Sequence, residues 1–170
     1  IPLLIKEKGM SWSRNVILAV IFLIASTSTP LYALEAGDFP APGFRVIDTA
    51  HGFGALVKKL NGAIKGNGMA AVTRASATKG AASLGVTIPG NMVVGVYHPK
   101  FAVRMLEASI PAGVEAPLIF YITETPDGTA TLSYRTPSAV FAPYGSAALD
   151  QMAGELDAIF AAIAAAATAP

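Results

Sequence analysis

Leu118 to Tyr134 reads LIFYITETPDGTATLSY: two apolar and β-branched runs, Leu118–Thr123 and Thr129–Tyr134, around Glu124-Thr125-Pro126-Asp127-Gly128. β-Branched and aromatic residues fit the pleated surface of a strand. Asp-Gly at the tip supplies the turn that reverses the chain, so the stretch predicts a β-hairpin. Successive side chains on a strand point to opposite faces, so Phe120 and Tyr121 cannot both enter one core. One side of the hairpin is expected to offer an aromatic ring to something outside the core, a second subunit or an apolar ligand.

Upstream, Met92 to Tyr97 (MVVGVY) predicts a strand running toward Pro99. Proline suits the first turn of a helix, where its missing N–H would have no partner anyway. Phe101, Met105 and Leu106 mark the buried side of that helix. Phe44-Arg45-Val46-Ile47 and Met69 to Thr73 have strand character, and Ala77 to Leu84 predicts a short helix ended by Gly85. Phe53, Leu56, Val57, Leu60 and Ile64 recur at helical spacing, with Lys58, Lys59, Asn61 and Lys65 on other faces. Gly66-Asn67-Gly68 then stops that helix.

Downstream, Ala147 to Ala167 is an alanine-rich helix with an apolar stripe of Leu149, Met152, Leu156, Ile159, Phe160 and Ile163. Its tail beyond Ala164 is expected to fray, and its alanine faces would let two subunits approach closely. The order strand, helix, strand, short helix, strand, helix, hairpin, helix predicts an α+β fold: a two-layer domain whose mainly antiparallel sheet is covered by helices on one face.

The N-terminal region follows a different pattern. Arg14 gives a positive start, Val16 to Ala25 is an unbroken apolar run of ten, and Ser26 to Pro30 breaks it before Leu31-Tyr32-Ala33. This is the layout of a secretory signal peptide over residues 10–33, cleaved after Ala33, with Ala36 as a second candidate site. A membrane span takes roughly 20 apolar residues, about twice this run, so no stable membrane insertion is expected after cleavage. Residues 1–9 precede Met10 and read as translated upstream sequence. Residues 34–43, with two prolines and two glycines, read as an irregular lead-in to a single domain over 44–170. The expected location is periplasmic or secreted.

Of the twelve Lys+Arg and eleven Asp+Glu, nine and ten lie from Leu34 onward, so the formal charge of +1 becomes −1 once residues 1–33 are removed. A nucleic-acid partner, which would want a basic face, is not expected. The absence of cysteine excludes disulfides, thiolate ligands and cysteine nucleophiles.

Four stretches together carry a resemblance. They are the amphipathic helix from Phe53 to Ile64 with its glycine turn, Thr73-Arg74-Ala75-Ser76-Ala77, Tyr97-His98-Pro99-Lys100, and the run from Pro117 through Asp127-Gly128 to Pro137. In order and spacing they resemble the family catalogued as domain of unknown function 302, over roughly Phe44 to Ala164. That family usually has asparagine where His98 stands, and often an Asp-His pair where this chain has Ser76-Ala77. The resemblance implies a small α/β fold, often dimeric and often periplasmic, and implies no reaction.

His51 and His98 each sit between a strand and a helix. If both helices began at one edge of the sheet, the two imidazoles could approach one another. With Met69, Met92 or Met105 nearby they would suit copper, zinc or a haem iron; the plainer alternative is that each histidine caps a helix or lies at the surface. Lys100 and Arg104, on the first turns of the helix opened by Pro99, together with Tyr97 and His98, form a candidate ligand site for an anion. Their alternative is an ordinary solvated face. Gly-x-Ser-x-Gly is absent, Gly62 to Gly68 ends a helix where a phosphate loop would begin one, and the carboxylates form no evident acid–base pair.

The leading expectation is therefore an exported, non-enzymatic binding protein, a homodimer holding a small ligand or metal near His51 and His98. The alternatives are an enzyme acting on a small anionic or sulfur compound through His98, Lys100 and Arg104, and a structural interaction module.

Overall fold

The computed structural model describes residues 34–170, so the upstream residues and the signal peptide lie outside the described residues. The elements are β1 (Phe44–Gly52), α1 (Phe53–Gly66), β2 (Ala70–Ala75), α2 (Ala77–Ser83), β3 (Asn91–Tyr97), α3 (Pro99–Ala108), β4 (Leu118–Glu124), β5 (Thr129–Arg135), α4 (Pro137–Phe141) and α5 (Ala147–Thr168). The strands form one five-stranded sheet in the order β1-β5-β4-β3-β2, and every neighbouring pair is antiparallel. Helices pack on one face, giving the expected two-layer α+β architecture.

Strand alternation divides the residues between the two faces. Phe120 and Ile122 of β4 are fully buried and meet Tyr134 and Leu132 of β5 and Val94 and Met92 of β3 across the ladder. Leu56, Leu60 and Ile64 of α1 and Phe160 and Ile163 of α5 close over them. Phe160 stacks on Phe120 with ring centroids 4.8 Å apart and planes within 12°. The apolar stripes read from the sequence are thus the sides that face the sheet. Leu106 is a correction: it was expected on the buried side of α3, yet it is 47% exposed.

The opposite face of the sheet is turned away from α1 and α5. Val46, Ser133, Tyr121, Val93 and Ala75 run across it in register, and Asp48, Thr131, Thr123 and Asn91 form the next row. The lead-in bends back toward this face. Phe39 stacks on Phe44 at 3.9 Å, and the Pro42 carbonyl accepts from Arg135 Nε at 3.0 Å.

The end of α5 corrects a second expectation. Instead of fraying beyond Ala164, the helix continues to Thr168 with Ala167 fully buried. Carbonyl oxygens at a helix end have no intrahelical donors. Here the Ala169 carbonyl accepts from His51 Nε2 and from Lys59 Nζ, each at 2.7 Å, which ties the tail to β1 and α1.

At the hairpin tip Gly128 has φ +83°, the backbone region that Asp-Gly was expected to supply. Asp127 Oδ1 accepts from the Thr125 hydroxyl at 2.6 Å, the Thr129 hydroxyl at 2.7 Å and the Thr129 N–H at 3.0 Å. These bonds favour the charged form and lower the Asp127 carboxyl from 3.8 to about 2. A group whose folded value is depressed stabilises the fold above its unfolded value and loses that contribution as pH falls through the folded one. The turn is therefore expected to hold fully above about pH 4 and to weaken toward pH 2. A carboxyl carbon NMR titration of Asp127 checks this, and a midpoint at the ordinary aspartate value would contradict it.

Candidate ligand site on the open sheet face

The antiparallel order decides the fate of the two histidines. β1 and β3 run in opposite directions, so the C-terminal end of β1, where His51 stands, lies level with the N-terminal end of β3. His98 follows β3 at the other end of the sheet. At about 3.3 Å per residue the imidazoles are on the order of 25 Å apart, which corrects the expectation that they could share a metal. The expected common edge would have required β1 and β3 to be parallel.

Each histidine has a local role. His51 helps tie down the end of α5. His98 is the N-cap of α3, its Nδ1 accepting from the Lys100 N–H at 3.1 Å. A neutral imidazole that accepts at Nδ1 carries its proton on Nε2 and offers a metal no lone pair there. His98 does border a cavity with Met69, Met105 and Met152, but that space is about 30 Å³, the share of liquid volume of one water, far too small for haem. Met92 is not among its lining residues. Among the described residues no three His, Asp or Glu side chains gather as a metal site. The residues present therefore do not fit the copper, zinc or haem centre expected at these histidines.

The expected anion site is engaged elsewhere. Arg104 makes a two-pronged pair with Glu155 of α5, at 2.7 and 2.8 Å, and lies 5.6 Å from the centre of the Phe101 ring. Each partner favours the other's charged form: hydrogen bonding to Glu155 raises Arg104, and Arg104, with a weaker contribution from Lys100, lowers Glu155. Tyr97 borders the small methionine-lined cavity, and the Lys100 side chain is exposed.

A larger cavity, about 350 Å³, opens on the uncovered face. One wall is apolar, formed by Leu34 of the lead-in with Ile88 and Pro89 from the segment before β3. Asn91, Tyr121, Thr123 and Glu124 supply the polar groups. β4 sets up this side directly: Phe120 and Ile122 go into the core, so Tyr121 and Thr123 must point the other way. Asn91 Nδ2 donates to the Tyr121 hydroxyl, and Glu124 Oε2 accepts from the Gly90 N–H at 2.6 Å, which joins the end of β4 to the start of β3. Thr123 Oγ1 is buried without a hydrogen-bond partner among the described residues. Such a hydroxyl costs roughly 1–3 kcal/mol relative to a satisfied one.

That one of Phe120 and Tyr121 points outward was legible. The other three polar residues were not. Glu124 had been read as part of the turn, whereas it is the last residue of β4, paired with Ala130. The one available signal was the alternation that puts Thr123 on the same side as Tyr121.

These features define a class, a two-layer α+β domain with an open sheet face. The family described as Domain of unknown function DUF302 matches residues 46–167, and the chain belongs to that family. A similar solved structure is the crystal structure of the uncharacterized conserved protein DUF302 from Bacillus stearothermophilus, at 19% sequence identity and a TM-score of 0.65. The match covers 72% of this chain and 96% of that one. At that identity the likeness concerns the fold. No curated protein matches the chain.

Proposed function

We propose that this chain is an exported, non-enzymatic binding protein that holds a small organic molecule in the open-face cavity beside Tyr121. The observation that carries the reading is the cavity itself. Its volume of about 350 Å³ falls within the roughly 300–1,000 Å³ usual for small-molecule sites, and it combines an apolar wall with a few polar groups. Export rests on the pattern of residues 10–33. Recovery of the chain outside the cytoplasm with an N-terminus near Leu34 is the expected outcome of cell fractionation.

Binding is tested by screening small organic molecules against the nitrogen-15-labelled domain by NMR. Molecules that bind are expected to move the amides of Gly90, Asn91 and Thr123, and Tyr121→Ala should weaken them about tenfold by removing a stacking surface. Binders that leave these amides unmoved, or that bind Tyr121→Ala equally well, would sink the proposal.

A second reading, as a homodimer, is favoured by an apolar patch away from the cavity. Val103 and Leu106 of α3 and Ile110 and Val114 of the following turn are 47–81% exposed. Exposed apolar patches of this type mark interaction surfaces. Light scattering is expected to give a dimer that Ile110→Lys with Val114→Lys converts to a monomer; a monomeric wild-type chain contradicts it.

A further inference from the structure

We infer that the edge of the domain built from α1, β2 and α2 docks on an anionic phospholipid surface, with Leu84 and Val86 entering the headgroup layer and Lys58, Lys65, Arg74 and Lys79 meeting the phosphates. The open-face cavity plays no part in it.

Charge is segregated along this chain. Between Asp48 and Glu107 there is no Asp or Glu, yet seven of the nine Lys and Arg of residues 34–170 stand there, and seven of the ten carboxylates follow. The near-neutral total therefore conceals a basic region. Three of the seven cations have local roles: Lys59 holds the end of α5, Arg104 pairs with Glu155, and Lys100 adds to the positive field on Glu155. The other four, Lys58, Lys65, Arg74 and Lys79, are exposed and have no carboxylate partner among the described residues.

The fold gathers them at one edge. Lys58, Asn61 and Lys65 share one side of α1, since residues three and four apart are neighbours on a helix. Arg74 is opposite the core residue Val94, hence on the helix-bearing side of β2, and its Nε donates to Asn61 Oδ1 at 3.2 Å. That bond holds β2, an edge strand, beside this side of α1. α2 follows β2 directly and carries Lys79. Glu124 reaches the start of β3, but its Oε2 is taken up by the Gly90 N–H.

Apolar side chains are exposed at the same edge. α2 has no buried residue, and Leu84 at its C-terminal cap and Val86 just beyond are 81% and 52% exposed. Val72, where β2 bulges, is 51% exposed. Aliphatic side chains left in water beside cations suit peripheral membrane attachment, in which apolar burial and attraction to anionic headgroups act together. A nucleic acid fits less well, because no aromatic residue occurs between Phe53 and Tyr97 for a base to stack on. Attachment is to the surface alone: among the described residues no helix is long and apolar enough to cross a membrane.

The test uses the chain from Leu34, which holds the whole sheet, its helices and their core. It is sedimented with vesicles of phosphatidylcholine alone and with vesicles of phosphatidylcholine and phosphatidylglycerol in equal parts. Binding to the anionic vesicles is expected to be at least about tenfold tighter and to weaken as salt is raised. Each cation near an anionic surface strengthens binding about fivefold, so Lys58→Gln with Lys79→Gln should weaken it about 25-fold, whereas Lys100→Gln, beside Glu155, should change it by less than about twofold. Leu84→Ser with Val86→Ser should weaken it about tenfold. All five positions are exposed, so the thermal melts of these variants should match wild type. No sedimentation with anionic vesicles, equal binding to neutral ones, or equal losses from the Lys58–Lys79 pair and from Lys100→Gln overturns the inference. A Leu84–Val86 pair without effect overturns the docking geometry. Tighter binding of polyglutamate or single-stranded DNA than of anionic vesicles, at equal charge concentration, would make the edge a site for an acidic protein or a nucleic acid and overturn the lipid assignment.

Discussion

Phe160→Ala is expected to destabilise the domain by about 3–5 kcal/mol, the largest effect of any single truncation considered. Phe160 is fully buried and stacks on Phe120, with the Tyr134 ring 5.9 Å away. It is the point at which α5 is held to the middle of the sheet. Removing the ring loses its transfer free energy and leaves a void that two neighbouring rings cannot collapse to fill. For a domain of this size the loss corresponds to roughly 10–15 °C in melting temperature. Against a total stability of about 5–15 kcal/mol it brings the chain near unfolding. Phe160→Leu keeps most of the volume and should cost much less. A thermal melt of Phe160→Ala within about 3 °C of wild type would show that α5 is not held there.

Gly95→Ala is expected to cost about 1–3 kcal/mol although it adds one methyl group. On β3 Gly95 is opposite Thr73 of β2 and Ile119 of β4, on the uncovered face. A Cβ there would stand 2.1 Å from Thr73 Oγ1 and 2.7 Å from Pro117 Cγ. The threonine can rotate, but the proline ring is rigid, so the strand itself must move. Adding Thr73→Ala should recover part of the loss, since the two side chains compete for the same space and their effects cannot be independent. Denaturant unfolding of the two single variants and the double checks this. If the three changes simply add, the clash is not where the structure places it.

Both predictions depend on the packing of elements whose existence was legible in the sequence. The helix from Phe53, the proline-started helix from Pro99, the hairpin and the long alanine-rich helix each carry a local pattern that follows from backbone geometry. Their buried sides follow from the same spacing. Leu106 escaped because a single turn of helix gives two positions near the edge of the apolar side, and only the neighbouring elements decide which is covered. The end of α5 escaped because its stability comes from His51 and Lys59, far away in the chain.

The candidate site was the least legible part. His51 and His98 drew attention as the two imidazoles of a cysteine-free chain, but their separation depends on strand direction, which no local pattern encodes. The open-face cavity combines Leu34, the segment Ile88 to Asn91, and Tyr121 to Glu124, three stretches distant in sequence. None of them reads as a motif, because each contributes only a few ordinary residues.

The sequence by itself determined that the hairpin from Leu118 to Tyr134 forms, that only one ring of the pair Phe120 and Tyr121 could be inward, and which sides of the helices are apolar. These are matters of torsion preference and of side-chain periods of two and 3.6 residues. Only the tertiary structure decided that Phe120 is the inward ring, that β4 occupies the middle of the sheet, and that Tyr121 therefore faces a cavity closed by the lead-in and the start of β3. Those outcomes depend on long-range pairing, where the free energy lies in contacts between segments that carry no record of each other.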